Sequence, residues 1–130
     1  MALGGTLFKL LSSTFNSPYA SIEVTAATGY TAGQMLKYND IVAVVPETVT
    51  TGHQVVFIYR ATKIIVPCAI VTSGNLAAYD EGCKVYFAAA GAEVTTVAGG
   101  NTLCGTVNVQ PAVGDETVEI DLDGRLGIVT

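Results

Sequence analysis

At 130 residues the chain has the length of a single domain, and such a domain buries enough surface for one core without metal or disulfide staples. Half of its residues are apolar and only 13% are charged, about half the usual share, so part of its surface is expected to be covered by other protein, in a homo-oligomer or a larger assembly. The net charge of -5, with Lys9, Lys37, Arg60, Lys63, Lys84 and Arg125 scattered and only Arg60 and Lys63 close together, argues against a nucleic-acid partner, because phosphate binding needs clustered cations.

Residues 1–18 stand apart as a mixture of Gly, Ser, Thr and Asn with Leu and Phe, ending at Pro18. Lys9 interrupts the apolar stretch Leu7–Leu11, which is not how a secretory signal is built. No run reaches the roughly 18 apolar residues of a membrane span. A soluble, unexported protein without a membrane partner is therefore expected. Leu7, Phe8, Leu10, Leu11 and Phe15 would be costly to leave in water, which predicts an extended N-terminal arm lying on a neighbour.

From residue 19 onward the chain reads as short β-strands separated by Gly, Asn, Asp and Pro. Ser21–Ala26 alternates, with Ile22 and Val24 inward and Glu23 and Thr25 outward. Gln34–Tyr38 and Ile41–Val45 flank Asn39-Asp40, a pair suited to a hairpin. Val55–Tyr59 and Ile64–Ile70 are apolar on both faces, as strands covered on both sides are, whether by a second layer of the same domain or by a neighbouring subunit. Between them Arg60–Lys63 predicts a tight turn, and Pro67 an edge or a bulge.

Cys83–Phe87 sets Cys83, Val85 and Phe87 against Lys84 and Tyr86. Gly99-Gly100-Asn101 predicts a turn. In Leu103–Val109, Leu103, Gly105, Val107 and Val109 are expected on one face, with Cys104, Thr106 and Asn108 on the other. Gln110–Glu116 is a hairpin connection to the cleanest strand, Thr117–Leu122, in which Val118, Ile120 and Leu122 share a face. Eight or nine short strands at near-regular spacing predict an all-β antiparallel sandwich or small barrel over residues 19–124, with a C-terminal tail at 125–130.

No catalytic, cofactor or metal site is expected. The single histidine, His53, sits in Thr51-Gly52-His53-Gln54, which supplies no nucleophile for it to activate and no further zinc ligand. Gly4-Gly5 and Gly99-Gly100 lack the Lys-Ser/Thr of a phosphate loop. Asp115, Glu116, Glu119, Asp121 and Asp123 could in principle pair as acid and base or hold calcium. Yet Glu119, Asp121 and Asp123 alternate with apolar residues, as the wet face of a strand does. The odd count of Cys68, Cys83 and Cys104 leaves either three free, mostly buried thiols in a reducing compartment or one disulfide with a free thiol.

The segment Glu81-Gly82-Cys83-Lys84-Val85-Tyr86-Phe87 resembles the "GDKVYW" stretch of the phage capsid decoration (cement) proteins, a family of small head proteins sometimes mislabelled as recombinases. Gly100-Asn101-Thr102-Leu103-Cys104-Gly105-Thr106-Val107 is similar to its "GNTLIGVA", and Gly114–Gly124 to its "GDATVRVRLNG". Upstream, Ala32-Gly33-Gln34 and Ile41–Val44 fit its first hairpin more loosely. Cys83 replaces the usual Asp, Phe87 a common Trp, and Glu119 and Asp121 frequent basic residues. The resemblance spans about residues 20–124.

It implies a structural, non-enzymatic virion protein, made in the host bacterial cytoplasm. Such a protein sits on the outer capsid surface, binds the major capsid protein, and associates with itself as a dimer or trimer. No Walker motif supports the recombinase label. An alternative of another class is a glycan- or receptor-binding β-module of a head fibre or tail, for which Tyr19, Tyr30, Tyr38, Tyr59, Tyr79 and Tyr86 are the candidate contacts. Their spread along the strands favours packing.

Overall fold

The computed structural model describes residues 19–127; the expected arm at 1–18 and the last three residues of the expected tail lie outside them. Eight strands form one continuous sheet: β1 Ala20–Thr25, β2 Met35–Tyr38, β3 Ile41–Val44, β4 Gln54–Pro67, β5 Lys84–Ala88, β6 Glu93–Thr95, β7 Thr102–Val109 and β8 Thr117–Asp123. The all-β reading holds, and the sheet curls into a barrel. β-branched residues dominate these segments, and their stiff side chains pack well on a pleated surface.

The organising element is β4, whose 14 residues span about 45 Å at a strand's ordinary rise. Its first half pairs with β1 on one edge, from Thr25↔Gln54 to Ala20↔Arg60, and with β3 on the other through Val44↔Ile58. β2 completes this four-stranded extension through a hairpin turning at Asn39-Asp40, where Asn39 has φ 54. The second half of β4 pairs with β8, and the order continues β7, β5, β6. Each neighbour in this ring of five is antiparallel, so an odd count forces β4 and β6 to run the same way. The ring closes accordingly with a parallel bridge, Cys68↔Val94, where the Ala69 N–H donates to the Val94 carbonyl at 2.9 Å.

The turn expected at Arg60–Lys63 does not form. Ala61 opposes Leu122 and Ile64 opposes Ile120, so Thr62 and Lys63 share the single partner Asp121 in a β-bulge. Lys63 adopts φ 57, and its N–H donates to Asp121 Oδ1 at 3.1 Å. Polar residues tolerant of unusual backbone serve a bulge as well as a turn, which is why the sequence suggested the wrong one. The bulge bends β4 where it leaves the extension and enters the barrel.

Bulges also correct the expected faces of β7. Gly105 pairs with Val85 and Leu103 with Tyr86, leaving Cys104 as the extra residue; its side chain turns inward and is fully buried, while Leu103 is half-buried. A second irregularity at Asn108, between Val107↔Ile120 and Val109↔Glu119, leaves Val109 49% exposed. Strict alternation assumes one residue per pleat, and each extra residue reverses it.

Two cores lie on opposite faces of β4. The barrel interior gathers Ile58, Ile64 and Val66 with Val85, Phe87, Cys104, Val107, Val118, Ile120 and Leu122. A 3-10 turn, Leu76–Tyr79, plugs one end with Tyr79, which is fully buried and donates its hydroxyl to the Ala69 carbonyl at 3.0 Å. The second core packs Val55 and Phe57 of β4 with Ala26, Ala43, Val45 and Val49. Tyr30 and Tyr38 lie 5.3 and 5.2 Å from the Phe57 ring, centroid to centroid. Val55–Tyr59 is thus covered on both sides within one domain. Ile64–Ile70 differs: Ile64, Val66 and Cys68 face the barrel, whereas Ile65 is half-buried on the outside and Ile70 is 55% exposed.

Two motif glycines are required by close approach. A Cβ on Gly105 would overlap the Asp121 carbonyl oxygen, and one on Gly124 would overlap the Val42 carbonyl oxygen. Gly124 ties three strands, donating to the Tyr59 carbonyl at 2.6 Å and accepting from the Val42 N–H at 3.0 Å.

Candidate docking surface

The residues weighed for chemistry serve the backbone instead. His53 is exposed at a turn, its Nδ1 2.9 Å from Thr50 Oγ1. Asp121 holds the β4 bulge, Asp123 accepts from the Arg125 N–H at 3.2 Å, and Glu119 accepts from the Asn108 side chain at the β7 irregularity. All three carboxylates are half-buried on the outer face of β8. They act as fasteners for irregular backbone rather than as a freely solvated row. Among the described residues no cluster of three or more His, Cys, Asp or Glu is arranged to hold a metal ion.

The cysteines are free: Cys68 and Cys104 are buried, Cys83 half-buried. Burial pushes the Cys104 thiol up to about 12. Cys68 rises to about 11, first by burial, opposed by the polar influence of the neighbouring Tyr79 hydroxyl and reinforced by the negative field of Glu93, Asp115 and Glu116. Burial likewise drives the Tyr79 hydroxyl above its usual range. Thiols held in the protonated form are poor nucleophiles.

The tyrosines do not form an exposed platform. Among the six, Tyr19 alone is exposed, at 42%, while Tyr30, Tyr38, Tyr59 and Tyr86 are half-buried and Tyr79 is enclosed. The surface depressions are shallow. One of about 320 Å³ lies over the bulge between Arg60, Thr62, Thr106 and Asp123. Another, of about 300 Å³, runs between Ile65, Val109, Pro111, Ala112 and Glu119.

That second groove belongs to the most distinctive surface, the pole where β4 ends and β8 begins. The 110–116 connection is strapped to the segment after β4: the Val71 N–H donates to the Asp115 carbonyl at 2.9 Å, and the Gly114 N–H to the Val71 carbonyl at 2.7 Å. Gln110 reaches across to the Leu76 carbonyl at 3.1 Å and Asp80 at 2.7 Å. These bonds hold together the two connections that carry Ile70 and Val113, with Val109 at the end of β7 bordering the groove; the three form an exposed aliphatic rim, 55% exposed at Ile70, 49% at Val109 and 57% at Val113. Residues 64–84 and 107–119, which build this pole, carry the carboxylates Asp80, Glu81, Asp115, Glu116 and Glu119 against one cation, Lys84. Periodicity does not bring these residues together: Ile70 reads as part of the two-sided run Ile64–Ile70, Val109 as sharing a face with the buried Val107, and Val113 as part of a connection.

A rigid β-barrel with shallow grooves, inert buried thiols and an exposed aliphatic rim has the features of a structural module that works by docking. The family model of phage cement proteins matches residues 17–122, and the chain belongs to this family. No curated protein and no solved structure matches the chain. Family membership makes it a structural, capsid-associated protein of a phage virion. The expected motifs fall on β5, β7 and β8, which make up most of the barrel wall.

Proposed function

We propose that this protein coats the outer surface of an assembled phage head, bridges neighbouring major capsid protein subunits, and does so as a small homo-oligomer made in the host cytoplasm. The observation that carries this reading is the coincidence of the family match, residues 17–122, with the whole barrel and its β1–β3 extension. The region matched by the family model thus holds the β-sheet almost entire, from β1 into β8. A decorating protein stabilises a shell by adding buried area across subunit seams. Each seam would bury on the order of 1,000 Å² or more, repeated at every equivalent site, and the summed free energy opposes expansion under packaged DNA. The reading includes no enzymatic step, cofactor, nucleic acid or membrane.

Residues 1–18 serve as the arm. Eighteen extended residues reach at most about 60 Å, enough to cross to an adjacent subunit, and the chain enters the sheet at Ala20, beside Arg60 at the junction of the two cores. Deleting residues 1–16 should weaken capsid or subunit association while leaving the β-sheet circular dichroism intact. If both association and spectrum stay unchanged, the arm has no such role.

Cryo-electron microscopy of heads with and without the protein tests the main reading. The expected result is added density on the exterior, over capsid subunit boundaries, with bare heads disrupting at lower temperature. Density confined to the tail or the head interior would refute it.

A further inference from the structure

We infer that the rim formed by Ile70, Val109 and Val113 at the acidic pole is the surface that meets the capsid, and that its partner is a capsid-protein face carrying apolar side chains bordered by Lys or Arg. This inference rests on the decorating function proposed above and names the contact surface for it.

Three observations converge. The segment Ile64–Ile70 is apolar on both faces, yet the barrel covers only one. Ile65 lines the groove with Val109 and Pro111, and the exposed Ile70 and Val113 directly precede the hydrogen-bonded pair Val71 and Gly114. The equivalent two-sided segment, Val55–Tyr59, has its second cover inside the domain; among the described residues Ile70 has none, standing 55% exposed. The rim is also rigid. Its three aliphatic residues stand on backbone held by Val71–Asp115 and Val71–Gly114 hydrogen bonds and by Gln110, so little conformational freedom is lost on docking.

The surrounding charge selects the partner. Five carboxylates against Lys84 give the pole a field that opposes association of two identical poles face to face, since like charges would be brought together at the interface. The same field favours a basic surface and speeds its encounter. An aliphatic centre with a charged border is the ordinary anatomy of a protein interface. A second copy of the chain is therefore disfavoured as occupant, and a basic-rimmed capsid face is favoured.

The test uses full-length protein and purified heads assembled without it. Ile70→Asp and Val113→Asp, at sites more than half exposed, should keep the wild-type circular dichroism and melting profile yet bind heads at least tenfold more weakly. Glu81→Lys combined with Glu116→Lys reverses charge at two exposed sites and leaves the aliphatic residues unchanged. It should also weaken binding about tenfold and flatten the dependence of binding on salt.

Wild-type binding by the folded aspartate variants overturns the inference while leaving the decorating function standing. An altered oligomeric state in size-exclusion chromatography, with head binding retained, also overturns it, because the rim would then be a self-contact. If the wild-type protein itself ignores heads, the functional reading falls and this inference with it.

Discussion

The two halves of β4 pass through different surroundings, and the contrast shows how one strand can serve two structures. Beyond the bulge, Ile64 and Val66 enter a closed ring plugged by Tyr79. Before it, Val55 and Phe57 lie under a smaller layer whose outer members, Ile22, Val24, Tyr30, Leu36, Tyr38 and Tyr59, are only partly buried. The barrel is nearly closed, four antiparallel ladders being completed by the Cys68↔Val94 bridge, so its interior has little room to relax without opening sheet hydrogen bonds. The extension has free edges at β1 and β2 among the described residues, and can give locally. Stability should therefore be unequal across the molecule.

Substitutions can break that contrast. Ile120→Ala, fully buried in the ring, should cost about 2–5 kcal/mol and lower the melting temperature of the whole domain. Val49→Ala, at the rim of the second core, removes less buried surface and should cost about 1–2 kcal/mol, scaled from the transfer free energy of the two methyl groups lost. Urea titration of both variants checks the ranking. Equal losses would mean that the extension and the barrel unfold as one equally tight unit.

Gly124→Ala attacks the junction itself. Its Cβ would overlap backbone of β3, where no side chain can rotate away, and overpacking of this kind costs about 1–3 kcal/mol. Hydrogen exchange gives the sharper reading: protection should drop first in β1–β3, which are held to the ring partly through the Gly124 bonds to Val42 and Tyr59. A uniform loss of protection would show that the junction does not separate the two regions.

Much of this arrangement was legible in the sequence, and the failures have a common cause. Thr117–Leu122 and Ser21–Ala26 alternate cleanly because neither strand itself carries an extra residue there, the bulges facing β8 lying on β4 and β7, and β8 and β1 lie where their pattern put them. Arg60–Lys63, Cys104 and Asn108 misled because bulges insert an unpaired residue, and only the partner strand reveals the count. The long reach of β4 was hidden in the same way, a bulge having been taken for a turn. On the candidate surface, the two-sided apolarity of Ile64–Ile70 was visible from the start. The strapping of Val113 beside Ile70 depends on contacts some 45 residues apart in the chain, through Val71 and Asp115, and no local pattern encodes it.

The carboxylates on β8 give a smaller effect. Asp121→Asn retains an acceptor for the Lys63 N–H, whereas Asp121→Ala removes it. The alanine variant should lose about 1.5 kcal/mol, the lower end for a hydrogen bond to a charged acceptor because Asp121 is only half-buried, and the asparagine variant less. If the two lose equally, charge rather than bulge fastening is what Asp121 contributes.

The least disruptive probe is pH. A thiol whose folded pKa is raised holds its proton after the unfolded chain has released its own, so the unfolded state binds fewer protons and stability falls as pH rises. For Cys68 the stability is fully present below its ordinary value of 9.0 and is lost as pH climbs toward about 11; for Cys104 the decline extends toward about 12. Both thiols line the ring, so alkaline unfolding should begin in the barrel, reversing the order expected from heat or from substitutions at the junction. Cys104→Ser would leave a hydroxyl in place of a buried thiol and confuse the comparison. Cys104→Ala keeps the site apolar and should push the alkaline midpoint upward relative to its own stability at pH 7. Thiol labelling in the native state at pH 8 should modify Cys83 first, since Cys68 and Cys104 react only when the ring opens. Labelling of Cys104 at the rate of the half-buried Cys83 would mean that the ring opens freely at this pH, and the tight interior that sets the second half of β4 apart would fail.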